Sequence, residues 1–528
     1  MMKRNAWPVR LAPLGLAMSF LTGCGTWSGA GSAADGSHIV VGMSDDVLAT
    51  DPASGYDPGS WMLFNNVFQS LLSFPKGGTE PQPEAAERCA FTDGGAQTYR
   101  CTLREGLRFS NGDEVTAQDV KFSFDRTLGI DDAAGPAVML STLDRVETPD
   151  DTTVVFHLKS PDATFPSKIA SGAGSIVSSK AYERNSLRTD GEAVGSGPYT
   201  LERFDRNEAV FSVNAQYRGT AKPKNPGVVL RFFHGDREAL KNALLEGEID
   251  IAYRGLTAED IADIDRRNGS GGADVVEGSS AEVQHLVFNM RDPVAGQLAV
   301  RQAIAHLIDR ETLIDTVFQD TAIPLYSMVP AGILGHATSF FDRYGAAPSK
   351  EKAAAVLRDA GITDKVELTL WSTPSRYGPA TDEEFEQIAE QLNASGLFEA
   401  DVKSVPFEQY EKDIANGKYG VYVKGWVPDY PDADNFTTPF FGEGNVLGNG
   451  YRNKEITHHL IPRTAEEKNR IDAQAEFGEL QRIVAEDVPV LPLWQAKQYA
   501  VVRDDVRSGV EYCLDLSTVF RFWELSKD

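Results

Sequence analysis

The stretch "KGWVPDYPDADNF" over 424–436 sets aspartates at 429, 432 and 434 among Trp426, Tyr430 and Phe436. Three chemistries would use such a cluster: a metal loop, a pair of catalytic carboxylates, or a rigid lip that holds one charged end of a ligand. An EF-hand register puts Asp432, Asp434 and Glu443 in its first, third and twelfth places. Phe436 and Thr437 then fall in the fifth and sixth, where such a loop needs an oxygen ligand and a turn-making glycine. A catalytic pair finds no second landmark, since the chain contains no HExxH, GxSxG or GxxxxGK[ST] pattern. The histidines are scattered, and the adjacent His458 and His459 would point in different directions on a helix or strand. His157, His234 and His285 read as structural strand residues. "GEGNVLG" (442–448) has one spacer too many for a dinucleotide fingerprint and reads as a glycine-rich turn. No metal and no cofactor are expected. A merely solvated acidic loop would not favour Trp426, Tyr430 and Phe436, which leaves the ligand lip as the best reading.

The surrounding elements place that lip. "YGVYVKGW" reads as a strand over 419–425, and the acidic stretch is the loop leaving its carboxyl end. "VELTLW" is a strand over 366–371, and "STPSRYGP", with Arg376, leaves its carboxyl end. Ligands of open α/β sheets sit outside the carboxyl ends of strands, so Asp429 and Arg376 could read opposite charges on one ligand. From 284 onward strands alternate with helices, which predicts a parallel α/β sheet. "LAVRQAIAHLIDRETLIDTVF" reads as one long helix, with Val300, Ala303, Ile304, Leu307 and Ile308 on its apolar face. Upstream, Asn111-Gly112 makes a turn, and Thr116 caps a helix with Asp119 in a variant capping box.

At 528 residues the chain is too long for one ordinary core. Its 51 basic against 77 acidic residues give a net charge of −26, which argues against nucleic acid, because phosphate binding needs a basic surface. Residues 1–23 read as a signal peptide, with Lys3, Arg4 and Arg10 ahead of an apolar run over 11–21 that is too short to span a bilayer. "LTGC", ending in Cys24, resembles the bacterial lipobox, which implies a diacylglyceryl group on that thiol. A Gly/Ser/Ala-rich tether over 24–37 follows. Cys89 and Cys101 flank a hairpin centred on Gly95, so a cross-strand disulfide is expected in an oxidising exterior. Cys513 is left over and is expected to be buried and inert.

Four stretches together resemble the extracytoplasmic solute-binding proteins of ABC importers, in the peptide/nickel family that includes dipeptide- and oligopeptide-binding lipoproteins. They are "YRCTLREGLRFSNGDEVTAQDVKFSFDR" (99–126), "VGSGPYTLERF" (194–204), "VRQAIAHLIDRETLI" (300–314) and "GWVPDYPDADNF" (425–436), and the resemblance covers 38–528. It implies a two-lobed α/β periplasmic-binding-protein fold with a two-strand hinge. Domain I would comprise 38–72, 195–283 and 497–528, domain II the inserted 73–194, and domain III, the second lobe, 284–496. The implied function is capture of a peptide between the lobes and delivery to permease subunits by a monomer that catalyses nothing. The resemblance makes Asp429 the partner of a ligand ammonium, with Gly425, Trp426, Val427 and Tyr430 around it and Arg376 as a weaker candidate for the ligand carboxylate. On the opposite lobe it points to Tyr56, Gly59 and Ser60 in "SGYDPGSW". A surface receptor that signals, or the same fold holding a nickel chelate, heme or oligosaccharide, remains an alternative.

Overall fold

A computed structural model of the chain describes residues 38–266, 272–378, 380–504, 506 and 509–527. Residues 1–37, on which the expected signal peptide, Cys24 and the expected tether fall, lie outside the described residues. Ile39–Met43 pairs parallel with Gly227–Phe232 on one side and with Ile251–Tyr253 on the other. Its Ile39, Val41 and Met43 side chains are fully buried, which an apolar run covered on both faces requires. Glu208–Val213 and Tyr199–Phe204 extend this side antiparallel. Beyond Ile251–Tyr253 comes Val490–Arg503, antiparallel to it and to the long strand Ala273–Phe288. Val421–Trp426 is antiparallel to Ala273–Phe288, and Val366–Ser372 and Phe398–Ser404 continue parallel from there. The parallel expectation from the β-α alternation after 284 therefore holds for Val366–Ser372 with Phe398–Ser404 and Val421–Trp426. The long strands that join these to the rest run antiparallel.

Ala273–Phe288 and Val490–Arg503 connect the two lobes. Their ladder breaks register between Ser279 and Val283. One end of the pair, with Leu286, Val287, Phe288 and Leu491, lies in a core built from 286–494. The other end contributes Ala500 and Val502 to a second core with Ile39, Val41, Phe64 and Phe522. A third core is covered by a separate four-stranded antiparallel sheet made from Ala86–Phe91, Thr98–Leu103, Thr153–Leu158 and Leu143–Glu147. In that sheet Cys89 faces Cys101, and their sulfurs are joined at 2.05 Å. Cys513 is buried and free. Against the same sheet packs helix Ala117–Ile130, where the Thr116 side chain and the Asp119 carboxylate cap each other's backbone N–H groups.

Two sequence expectations change in form. The long helix is broken: Leu298–Leu307 ends at Ile308, which is extended, and Asp309 starts Arg310–Leu313 by accepting from the Thr312 N–H. A short acidic side chain that can bond a nearby N–H offers the backbone an alternative to continuing the helix. The break lets buried Arg310 donate its Nε–H to the Pro492 carbonyl at 2.7 Å. His234 lies not in a strand but in a turn after Gly227–Phe232, with φ of 50° and its Nδ1 2.6 Å from Asp46.

Candidate binding cleft

A cavity of about 340 Å³ lies where the carboxyl ends of strands meet. Arg254, Gly255 and Leu256 leave the end of Ile251–Tyr253, Val427 and Pro428 leave the end of Val421–Trp426, and Tyr377 follows Val366–Ser372. Ser280, Glu282, Trp494 and Gln498 of the two long strands also line it. Both lobes therefore contribute walls, as a ligand-gated closure requires.

The acidic loop borders this cavity, and its three aspartates have different partners. Asp432 is held by Arg470 through both carboxylate oxygens, at 2.8 and 2.9 Å, and accepts from the Asp434 N–H. Asp434 is buried and accepts from Tyr430 Oη–H at 3.1 Å and Thr438 Oγ1–H at 2.6 Å. Asp429 alone turns to the other lobe, where Tyr56 Oη–H donates to its Oδ1 at 2.6 Å. Its Oδ2 accepts from Asn435 Nδ2 at 3.1 Å, and Asn435 Oδ1 in turn accepts the Asp429 N–H and the Trp426 indole N–H. Burial pushes the Asp429 carboxyl above the usual aspartate range, against the pull of these hydrogen bonds. The Tyr56 phenol is likewise pushed up, first by burial and then by the Asp429 charge.

The remaining candidates divide. Val427 is 40% exposed and lines the cavity. Gly425 sits beside Tyr377, whose ring a Cβ would meet at 2.8 Å, so glycine permits that approach. Trp426 instead stands edge-on to Phe440 and helps position Asn435. Tyr430 is buried in the third core with Phe165 and Ile169, where it joins the lobes rather than lining the cavity. The Ala163 N–H to Ala465 carbonyl bond at 2.8 Å and the Lys468 Nζ to Asp93 carbonyl bond at 2.7 Å lie alongside as further cross-lobe contacts. Arg376 is exposed on Pro374–Tyr377 with its guanidinium 5.5 Å from the Phe407 ring centre, outside the cavity lining. Gly59 is buried at the start of Pro58–Val67, and Ser60 Oγ accepts from the Leu48 and Ala49 N–H groups at 3.1 and 3.0 Å. Those two residues shape the Tyr56 loop. Cys24 lies outside the described residues.

Arg254, Glu282 and Tyr377 were not singled out from the sequence. The rule that drew attention to 376 and 429 applies equally to Arg254, the first residue after Ile251–Tyr253. Glu282 gave no signal, because one acid within a long strand reads as a solvent-facing position.

The family-level sequence model of the bacterial extracellular solute-binding proteins, family 5, matches residues 80–448. The chain belongs to that family. It is 26% identical over 506 residues to Di/tripeptide-binding protein 3 of Pseudomonas aeruginosa, covering 89% of this chain and 92% of the relative. Among solved structures, HbpA2 from Haemophilus parasuis superposes with a TM-score of 0.80 at 20% identity, over 93% of this chain and all 100% of that one. The periplasmic binding protein DppA from Helicobacter pylori, solved with the peptide STSA, gives a TM-score of 0.75 at 21% identity, over 93% and 98% of the two chains. These likenesses show the two-lobed fold. The family consists of substrate-binding proteins. Among the described residues of this member, no helix is long and apolar enough to cross a membrane.

Proposed function

We propose that this family member captures peptides between its lobes and delivers them to an ABC importer, held at the outer face of the cell membrane by a lipid on Cys24. The observation that supports the ligand class is the Asp429 carboxylate, fixed between the lobes by Tyr56 and Asn435 next to Val427 and Pro428 of the cavity lining. An ionised carboxylate accepts at about four lone-pair sites, so two protein donors leave room for a ligand ammonium. An ammonium taken from water needs such an acceptor, or its desolvation goes uncompensated. Relatives named as di/tripeptide-binding and dipeptide-binding proteins point the same way.

In this reading the exposed Val427 offers main chain to the peptide, while Pro428 lacks one donor. Arg376 lies outside the cavity lining, and a ligand it does not reach favours longer peptides over dipeptides. A ligand gripped by domain I (38–72, 195–283, 497–528) and domain III (284–496) favours the closed form, and permease subunits read that form. Domain II (73–194) lends its core to Tyr430 at closure. The protein works as a monomer by binding and release, and ATP hydrolysis belongs to separate subunits. The test is mass spectrometry of ligand released on denaturing the purified protein, with calorimetry of di- to pentapeptides. Released peptides that rebind support the reading; a sugar, heme or metal chelate as the released ligand overturns it. For the anchor, Cys24→Ala should abolish incorporation of labelled fatty acid and release the protein from membranes; retained labelling overturns it.

A further inference from the structure

Glu282 stands on Ala273–Phe288 where the ladder between the two long strands loses register, and it lines the cavity. Its carboxylate accepts no hydrogen bond and forms no ion pair with any described residue; only its backbone N–H is engaged, donating to Ser280 Oγ at 3.0 Å. The other charged residues of the lining are paired. Arg254 Nε lies 2.6 Å from Asp45 Oδ2, and Lys497 Nζ lies 3.2 Å from Glu277 Oε2. Arg254 is presented at φ of 57°, in the left-handed region that a non-glycine residue adopts at a cost, which is typical of residues held in place at binding sites.

Asp45 and Arg254 cancel, so Glu282 leaves this wall of the cavity with an unbalanced negative charge. Arg376 also acts on it electrostatically, from outside the lining. Burial raises the Glu282 carboxyl above its usual range, with Arg254 opposing and Asp45 adding to the rise. Glu282 is half-buried and its carboxylate has no protein partner, so a cation that entered the cavity would supply the missing one. Around it, Tyr253, Tyr377, Trp494 and Tyr499 give the cavity apolar and aromatic surface. A long aliphatic stem with a charged tip suits such a wall, the stem lying on the rings and the tip meeting the carboxylate.

We propose that Glu282 forms a cation-accepting subsite, separate from Asp429, through which the cleft selects peptides bearing a lysine or arginine side chain. This rests on the peptide reading and specifies what that reading leaves open. The test is calorimetry with three tripeptides that place lysine in turn at each position of an alanine background, each matched to a norleucine counterpart of similar length without the charge. At one position lysine should bind at least about tenfold tighter than norleucine, a difference ordinary for a desolvated charge pair. Nε-acetylation of that lysine should erase the preference. Glu282→Gln should bring the ratio to within about twofold, and Glu282→Asp, which keeps the charge at shorter reach, should give an intermediate ratio. Tripeptides that bind without lysine preference at any position, or a preference that survives Glu282→Gln, overturn the subsite and leave the peptide reading standing. Failure of every tripeptide to bind overturns both. Should Glu282→Gln not fold, the acetylated peptide on the wild type and the Glu282→Asp ratio decide, an unchanged preference in both counting against the subsite.

Discussion

Tyr56 Oη–H donates to Asp429 Oδ1 at 2.6 Å, joining residues 373 apart in the chain and on opposite lobes. The bond places the carboxylate proposed to hold a ligand ammonium in direct contact with the facing wall. Opening the lobes must break it, and a ligand ammonium placed on Asp429 would either share the carboxylate with Tyr56 or displace the phenol.

Asp429→Ala should weaken binding of a peptide with a free amino terminus by roughly 100-fold or more, the scale of removing one partner of a desolvated charge pair. Binding of an N-acetylated peptide should change far less. Because burial raises the Asp429 carboxyl, wild-type affinity should begin to fall at a higher pH on acidification than an ordinary aspartate would give. Calorimetry between pH 4 and 8 (about that range covers the shifted carboxyl) checks both, and equal losses for free and acetylated peptides count against the assignment.

Tyr56→Phe removes the cross-lobe hydrogen bond and keeps the ring, whose centre lies 5.6 Å from that of Trp61. If Tyr56 stays on Asp429 while the ligand binds, its loss should weaken peptide affinity by about tenfold, the value of one hydrogen bond to a charged group. Tighter binding by the variant would mean that the ligand has to displace the phenol.

Glu384 is fully buried beneath the cavity wall, with its carboxylate accepting from Trp494 Nε1 at 2.8 Å and from Gln284 Nε2. Burial pushes its carboxyl from 4.5 up to about 8. The folded state therefore holds a proton that the unfolded chain releases, so the stabilisation is complete below pH 4.5 and declines as pH rises to about 8. The decline is about 1.4 kcal/mol per pH unit at most within that window. Glu384→Gln keeps an acceptor for Trp494 and should flatten the slope. Thermal unfolding at pH 5 and pH 8 (about the two ends of that window) should show the variant gaining on the wild type at the higher pH; parallel profiles would place the titration elsewhere.

The Cys89–Cys101 bridge closes a loop with a sequence separation of 12. Replacing both cysteines by alanine should cost about 3 kcal/mol by loop-closure entropy. The cost falls on the four-stranded sheet and leaves the Asp429 hydrogen bonds to Tyr56 and Asn435 in place, so peptide affinity at a temperature where the variant is folded should stay within about twofold of wild type. Chemical denaturation and calorimetry on the same variant separate the two effects.

Much of the architecture was legible because the rules that write it are local. Apolar alternation marked Val366–Ser372 and Val421–Trp426, and Thr116 with Asp119 announced a helix start, each within a few residues. The order of the motifs was enough to point to the family. Local pattern also misled where two local signals competed, as at Asp309, whose side chain caps a new helix inside an apparently continuous one. What only the tertiary structure decided is the orientation of individual acids. Asp429, Asp432 and Asp434 share one loop and one residue type, yet one faces Tyr56, one is clamped by Arg470 and one is buried against Tyr430 and Thr438. Glu282 enters the cavity because two strands from distant parts of the chain lose register beside it. A residue's type and near neighbours set the backbone it can adopt; the partner its charge meets depends on segments hundreds of positions away, brought together by the burial of the cores.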